Sequence, residues 1–167
     1  MIPQFFLTAA FVIAADQCVK YYIKTRMTLY STLAVIPDVL NITHIENFGI
    51  AFGLTGQDDI RIKRWLLCAV IFAAIVLIVM YWAKNTRKSF LFNFSLGLIA
   101  GGAAGNLIDR VLKGSVTDFI DLGYKAVSLP VFNIADAAVS AGVVLYIIYL
   151  MTAGNNNQGG KNASDTV

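Results

Sequence analysis

Hydrophobic positions in this chain gather into four long runs, separated by polar segments of very different lengths. The runs cover about residues 5–24, 65–83, 90–107 and 131–151, each near the roughly 20 residues a helix needs to cross a bilayer. The second carries no charged side chain from Leu66 to Ala83, so it is the run expected to face lipid most fully. Trp65, Tyr81, Trp82, Tyr146 and Tyr149 fall near predicted ends, where amphipathic rings favour the headgroup level. The roughly 40 residues between the first two runs are too long for a plain connector. Within them Val39 to Ile45 partly alternates, Pro37 and Asn47-Phe48-Gly49 punctuate, and 56–59 reads as a turn. A small extramembrane element with strand character is expected there, with segment 111–130 on the same side as its pairing partner. From Gly154 the chain is polar and glycine-rich, which predicts a disordered tail over 154–167. The pattern therefore predicts an all-α membrane protein, one domain over 1–153, with four transmembrane helices and a small extramembrane β element in the first outer loop.

Composition agrees with that reading. Hydrophobic residues make up 57% and charged residues 14%, with a mean hydropathy of +0.68, which leaves no room for a sizeable water-soluble domain. A net charge of +3 without a dense basic block suits a bilayer surface and argues against nucleic acid as a partner. Cys18 and Cys68 lie in apolar runs without metal-ligand spacing and read as small hydrophobes. The first run has no Lys or Arg before it, and Asp16 and Lys20 interrupt its far half, so it reads as a retained helix, not a cleaved leader. Orientation follows from the short loop Lys84 to Lys88, whose dense positive charge predicts a cytoplasmic position, both termini inside and both long loops outside. The raw count runs against this, since Arg26, Arg61, Lys63, Arg64, Arg110, Lys113 and Lys125 would then lie outside; those of the first outer loop can grip anionic headgroups.

Several polar residues interrupt the apolar runs. Asp16 and Lys20, one helical turn apart, form an ion pair whose first role is to fix the rotation of the first helix. Gly97, Gly101 and Gly105 recur every four residues, a spacing that lets helices approach closely. Packing does not account for Asn106, Asp109 and Arg110 just beyond them, where the arginine can snorkel or hold a carboxylate or carbonyl by its fork. Asn133 and Asp136 open the fourth run, with Ser140 one turn on. Asp136 has a possible second carboxylate in Asp118 or Asp121, between which spacing does not choose. Two carboxylates in a dry cleft cannot both ionise cheaply, so they share one proton: the charged member takes a proton from water and the neutral one donates to a carbonyl. That chemistry is peptide hydrolysis without metal, cofactor or covalent intermediate. The only histidine, His44, lacks the HExxH context of a zinc protease, and neither GxSxG nor a dinucleotide-binding glycine motif in a suitable setting is present.

Five segments in order, Asp16-Gln17-x-x-Lys20, Asn47-Phe-Gly-Ile-Ala-Phe52, GGAAGNLIDR ending at Arg110, Gly114-Ser-Val-Thr-Asp118-Phe119 and Phe132-Asn133-Ile-Ala-Asp136, resemble the bacterial lipoprotein signal peptidases, or signal peptidase II. The resemblance implies a monomeric aspartyl endopeptidase of the bacterial inner membrane. It would remove signal peptides from prolipoproteins carrying a diacylglyceryl cysteine, cut just before that cysteine, work among membrane lipids, and be inhibited by cyclic peptide antibiotics such as globomycin. It also implies Asp118 and Asp136 as the catalytic pair, in preference to Asp121. Asn47, Asn106, Arg110 and Asn133 would line the site, with Asp16, Lys20 and Asp109 in support. The rival reading from the residues alone is a small membrane transporter or proton relay, since buried Asp, Lys and Arg also mark ion pathways. A non-enzymatic scaffold is a second rival. The absence of an evident internal repeat gives the transporter little to build alternating access on.

Overall fold

The computed structural model describes residues 2–49, 60–85, 89–124 and 127–162. Its elements, in chain order, are α1 (Ile2–Arg26), β1 (Thr32–Ile36), β2 (Leu40–Asn47), α2 (Ile60–Lys84), α3 (Phe90–Lys113), β3 (Val116–Tyr124), β4 (Val127–Ser128) and α4 (Ile134–Asn162). Among the described residues, four helices are long and apolar enough to cross a membrane: Gln4–Arg26, Arg61–Lys84, Phe90–Lys113 and Ile134–Ala153. The expected turn at 56–59, the end of the Asn47–Phe52 motif and most of the short basic loop after Lys84 lie outside the described residues.

The bundle is built around α3. Its glycines make this possible. A Cβ at Gly97 or Gly101 would come within 2.8 Å of the α1 backbone at Phe5 or Ala9, and one at Gly102 would collide with the Ala135 carbonyl of α4. Two faces of small residues thus let α1 and α4 lie directly on α3, and side-chain dispersion replaces the hydrophobic effect that lipid removes. In α3, 56% of the apolar window is buried by protein, against 11% in α2, so α2 is the lipid-facing helix that its uncharged sequence predicts. Trp82 differs from the expected headgroup position. It stacks on Phe5 at 4.7 Å, is buried, and donates its indole N–H to Asn93 Oδ1 at 2.8 Å, so it ties α1, α2 and α3 together.

Outside the spans, β1, β2, β3 and β4 form an antiparallel sheet in that order, drawn from the two long loops. Pro37-Asp38-Val39 turns β1 into β2, with Asp38 in the left-handed region at φ 61°. The segment carrying Asp118 is strand β3, paired with β2 as the sequence pattern expects of 111–130. Span boundaries also move, with α2 opening at Ile60 where the pattern predicts about 65. The third helix continues beyond 107 to Lys113, where the N–H of a left-handed Gly114 caps Arg110 O. The fourth starts at Ile134 and not 131, because Phe132 is held against β3 by exchange of backbone bonds with Ile120 at 2.8 and 3.0 Å. At its other end α4 runs through Asn162, where the sequence predicts an irregular tail from Gly154. Extending an existing helix adds a bond per residue without a new nucleation cost.

Candidate active site

The start of α4 is fixed by a reciprocal cap. Asn133 Oδ1 accepts from Asp136 N at 2.9 Å, and Asp136 Oδ2 accepts from Asn133 N at 3.3 Å. Asp136 thus sits in the first turn, one turn earlier than a helix beginning at 131 would put it. The Asn133 amide nitrogen then donates to Asp118 Oδ1 at 2.7 Å and to Asn106 Oδ1 at 3.1 Å. Asn106 Nδ2 completes the circuit by donating to Asp136 Oδ1 at 2.7 Å. One buried asparagine therefore touches both carboxylates, and a second joins it to Asp136.

The sheet delivers Asp118. Asn47, at the end of β2, donates from Nδ2 to Asp118 Oδ2 at 2.9 Å, while its Oδ1 accepts from Gly49 N at 2.8 Å, which fixes the amide's orientation. On the other face of the β2–β3 pair, Glu46 accepts from Ser115 at 2.5 Å and Thr117 at 3.1 Å and pairs with Lys24 at 3.1 Å. This clamp, which no sequence motif signals, ties the start of β3 to β2 and to the end of α1. Burial raises the Glu46 carboxyl's pKa, but the bonds from Ser115, Lys24 and Thr117 outweigh it and hold Glu46 below the usual range. His44 is a buried strand residue whose Nδ1 lies 3.0 Å from Met27 O.

Beneath the circuit lies a buried charge cluster. Lys20 Nζ is 2.7 Å from Asp16, 2.9 Å from Asp109 and 3.0 Å from Asn106 Oδ1. Lys113 pairs with the other oxygen of Asp109 at 2.9 Å, so two acids and two lysines balance. Asp16 also accepts from the Ala135 N–H at 3.0 Å, so a carboxylate of α1 caps α4 across the bundle. The Asp16–Lys20 pair thus does more than orient α1.

Arg110 and Asn106 join Asp136 and Ser140 around a cleft of about 340 Å³, walled by Ile71, Ala103 and Val139. Arg110 NH1 reaches its own helix at Asn106 O, 3.4 Å away, and its buried Nε has no partner among the described residues. It holds neither carboxylate, which leaves its fork available to a carbonyl in the cleft. Asp118 is 2% exposed beside the cleft. Burial pushes its carboxyl above the usual range; the Asn47 and Asn133 bonds pull it back, the nearby Asp136 charge pushes up again, and Lys20 pulls down. Asp121, an odd number of residues along the same strand, turns to the other face and accepts from Asn41 at 3.1 Å. The sequence-predicted residues Asn47, Asn106, Asp118, Asn133, Asp136, Asp16, Lys20 and Asp109 thus form one connected network, with Arg110 at its rim.

Among solved structures, the chain is similar to a bacterial membrane enzyme determined by the in meso method at 2.3 Å, with TM-score 0.80 and 36% identity over 93% of this chain and 92% of that one. A second bacterial membrane enzyme, determined in meso at 1.9 Å, matches with TM-score 0.79 and 37% identity over 90% and 94%. The family described as signal peptidase (SPase) II matches residues 8–152, nearly the whole of the four-helix bundle and its sheet. The transporter and scaffold readings fall to this match: the chain is a multi-pass bacterial membrane peptidase and belongs to the signal peptidase II family.

Proposed function

We propose that this enzyme is an intramembrane aspartyl endopeptidase that removes signal peptides from diacylglyceryl-modified prolipoproteins and cuts before the lipidated cysteine. The observation that carries the reading is Asn133, hydrogen-bonded to Asp118 through its amide and to Asp136 through its backbone N–H. Two carboxylates gathered at one buried asparagine can hold a water between them. The pair titrates jointly and shares one proton, and burial favours that proton resting on Asp118. Asp136, on the cleft, takes a proton from the water as its oxygen attacks the scissile carbonyl. Asp118 donates its proton to the carbonyl oxygen. Collapse of the tetrahedral diol returns a proton to the leaving nitrogen and breaks the C–N bond.

Asn47, Asn106 and Asn133 orient the two carboxylates, and Arg110 is placed to hold a substrate carbonyl. Asp16, Lys20 and Asp109 act behind them by fixing Asn106 and the start of α4. The site faces the outer side of the inner membrane, with both termini cytoplasmic, where water and acyl chains meet. A cyclic peptide antibiotic such as globomycin would compete by occupying the dyad.

Cleavage of a fluorogenic lipopeptide by the full chain in detergent tests the assignment. Asp118→Asn and Asp136→Asn are each expected to lose at least about a thousandfold in turnover, the scale of positioned acid–base catalysis, while Asp121→Asn retains activity. Substantial turnover by either of the first two, or equal loss in the third, would overturn the dyad.

A further inference from the structure

Beyond the active-site cleft, α2, α3 and α4 line a second cleft that begins one helical turn along α3, at Ile99 after Ala103. On α3 the residues facing the two clefts are Leu96, Ile99, Ala103, Asn106 and Arg110, spaced three and four apart along a single stripe. On α4 they include Asp136, Val139 and Tyr146, and on α2 Ile71, Ile78 and Tyr81, again one face of each helix. Both α2 and α4 pack on α3 with almost nothing between them, so α3 floors an open channel with the other two as walls. The second cleft, about 350 Å³, is almost wholly apolar, and polar groups begin only at Asn106.

At the far end the walls meet. Tyr81 of α2 and Tyr146 of α4 share a hydroxyl–hydroxyl bond of 2.7 Å, and both rings rest on the buried Phe92 of α3, with centroids 5.9 and 6.4 Å away. The two hydroxyls thus satisfy each other and join α2 to α4 across this end. From Asp136 to Tyr146 the helix rises about 15 Å, the length of about ten helical residues. A signal peptide's apolar region has roughly 7–15 residues. The two clefts together match such a segment in length and in their change from apolar wall to polar site.

We propose that the two clefts act as one groove that seats the apolar helix of the signal peptide and that the Tyr81–Tyr146 bond closes its far end, so the pair gauges the length of helix that places the scissile bond at Asp136. The proposal rests on the peptidase reading above. A helix too long for the channel must break the strap or ride past the site; a shorter one reaches the site freely.

The test compares kcat/KM for a parent lipopeptide with that for one whose apolar region is lengthened by three leucines, using the full chain in detergent. The ratio of the two cancels any general loss of fold or rate in a variant. In the unmodified protein the longer substrate is expected to be cleaved about fivefold less well, comparable to the loss of one hydrogen bond. Tyr81→Ala/Tyr146→Ala is expected to bring the ratio near one, and Tyr146→Phe, which keeps the ring, to bring it part of the way. Ile78→Trp, adding bulk inside the channel, should lower the parent relative to a substrate shortened by three residues. A ratio identical in all four proteins overturns the gauge while leaving the peptidase reading intact. Absence of any lipopeptide cleavage by the unmodified protein overturns both.

Discussion

Only one orientation of the Asn106 side chain satisfies its neighbours. Lys20 is a pure donor, so it holds Asn106 Oδ1 and turns Nδ2 toward Asp136. Asn47 is fixed in the same manner by the Gly49 N–H, and Asn133 by the N–H of Asp136. Each amide thus presents its nitrogen to a carboxylate because something else has claimed its oxygen. Such donated bonds favour the charged carboxylate, which gives a pH test at this scale. On the proposed dyad mechanism, activity needs one proton on the pair and is lost as pH rises through the raised pKa of Asp118. Asn47 is one of the groups pulling that pKa down. Asn47→Leu is therefore expected to move the alkaline limb of kcat/KM to higher pH, and a limb that stays in place or moves down would separate Asn47 from the titration.

Among the elements, α3 has the most constrained surface. Its Gly97–Gly101–Gly105 stripe meets α1, while Gly102 meets the first turn of α4, which carries Asp136. A side chain at 102 cannot be absorbed by rotamer change, since what it meets is backbone. Gly102→Ala is expected to cost about 1–3 kcal/mol in unfolding free energy by overpacking. Because it pushes Asp136 away from Asn106, it should also slow cleavage by about a hundredfold per ångström of displacement. Thermal unfolding and single-turnover rates on the same sample check both, and near-normal cleavage would mean that α4 yields elsewhere. The small-residue stripe was readable as packing. Which helix each glycine meets was not, because spacing describes one helix and contact needs two.

For the molecule as a whole, the buried charges and the membrane jointly set the architecture. Asp16, Lys20 and Asp109 are paired inside the bundle, with the exposed Lys113 completing the balance from the rim, so the cluster avoids the several kcal/mol an unpaired charge would cost there. The sheet covers the same end and carries exposed Leu33, Val35 and Ile36 on its edge strand, apolar side chains suited to the bilayer surface. Orientation is testable at this scale. With a membrane-impermeant maleimide, Leu33→Cys is expected to react in intact spheroplasts and Asn85→Cys only after permeabilisation; the reverse pattern would invert the topology.

The sequence by itself determined the four spans, the pairing of the two long loops and the polar residues that meet between them, because apolar run length and motif order are local properties. It left Asp118 and Asp121 equivalent by spacing until a family resemblance separated them. The tertiary structure supplies the physical reason: in strand β3 their odd separation sends one toward Asn133 and the other toward Asn41. Only the fold could reveal Glu46 as a clamp, Asp16 as the cap of a helix more than a hundred residues away, and Trp82 as core. Each of these depends on which surfaces meet, and that is decided by close packing on α3 and by the need to satisfy every buried polar group at once.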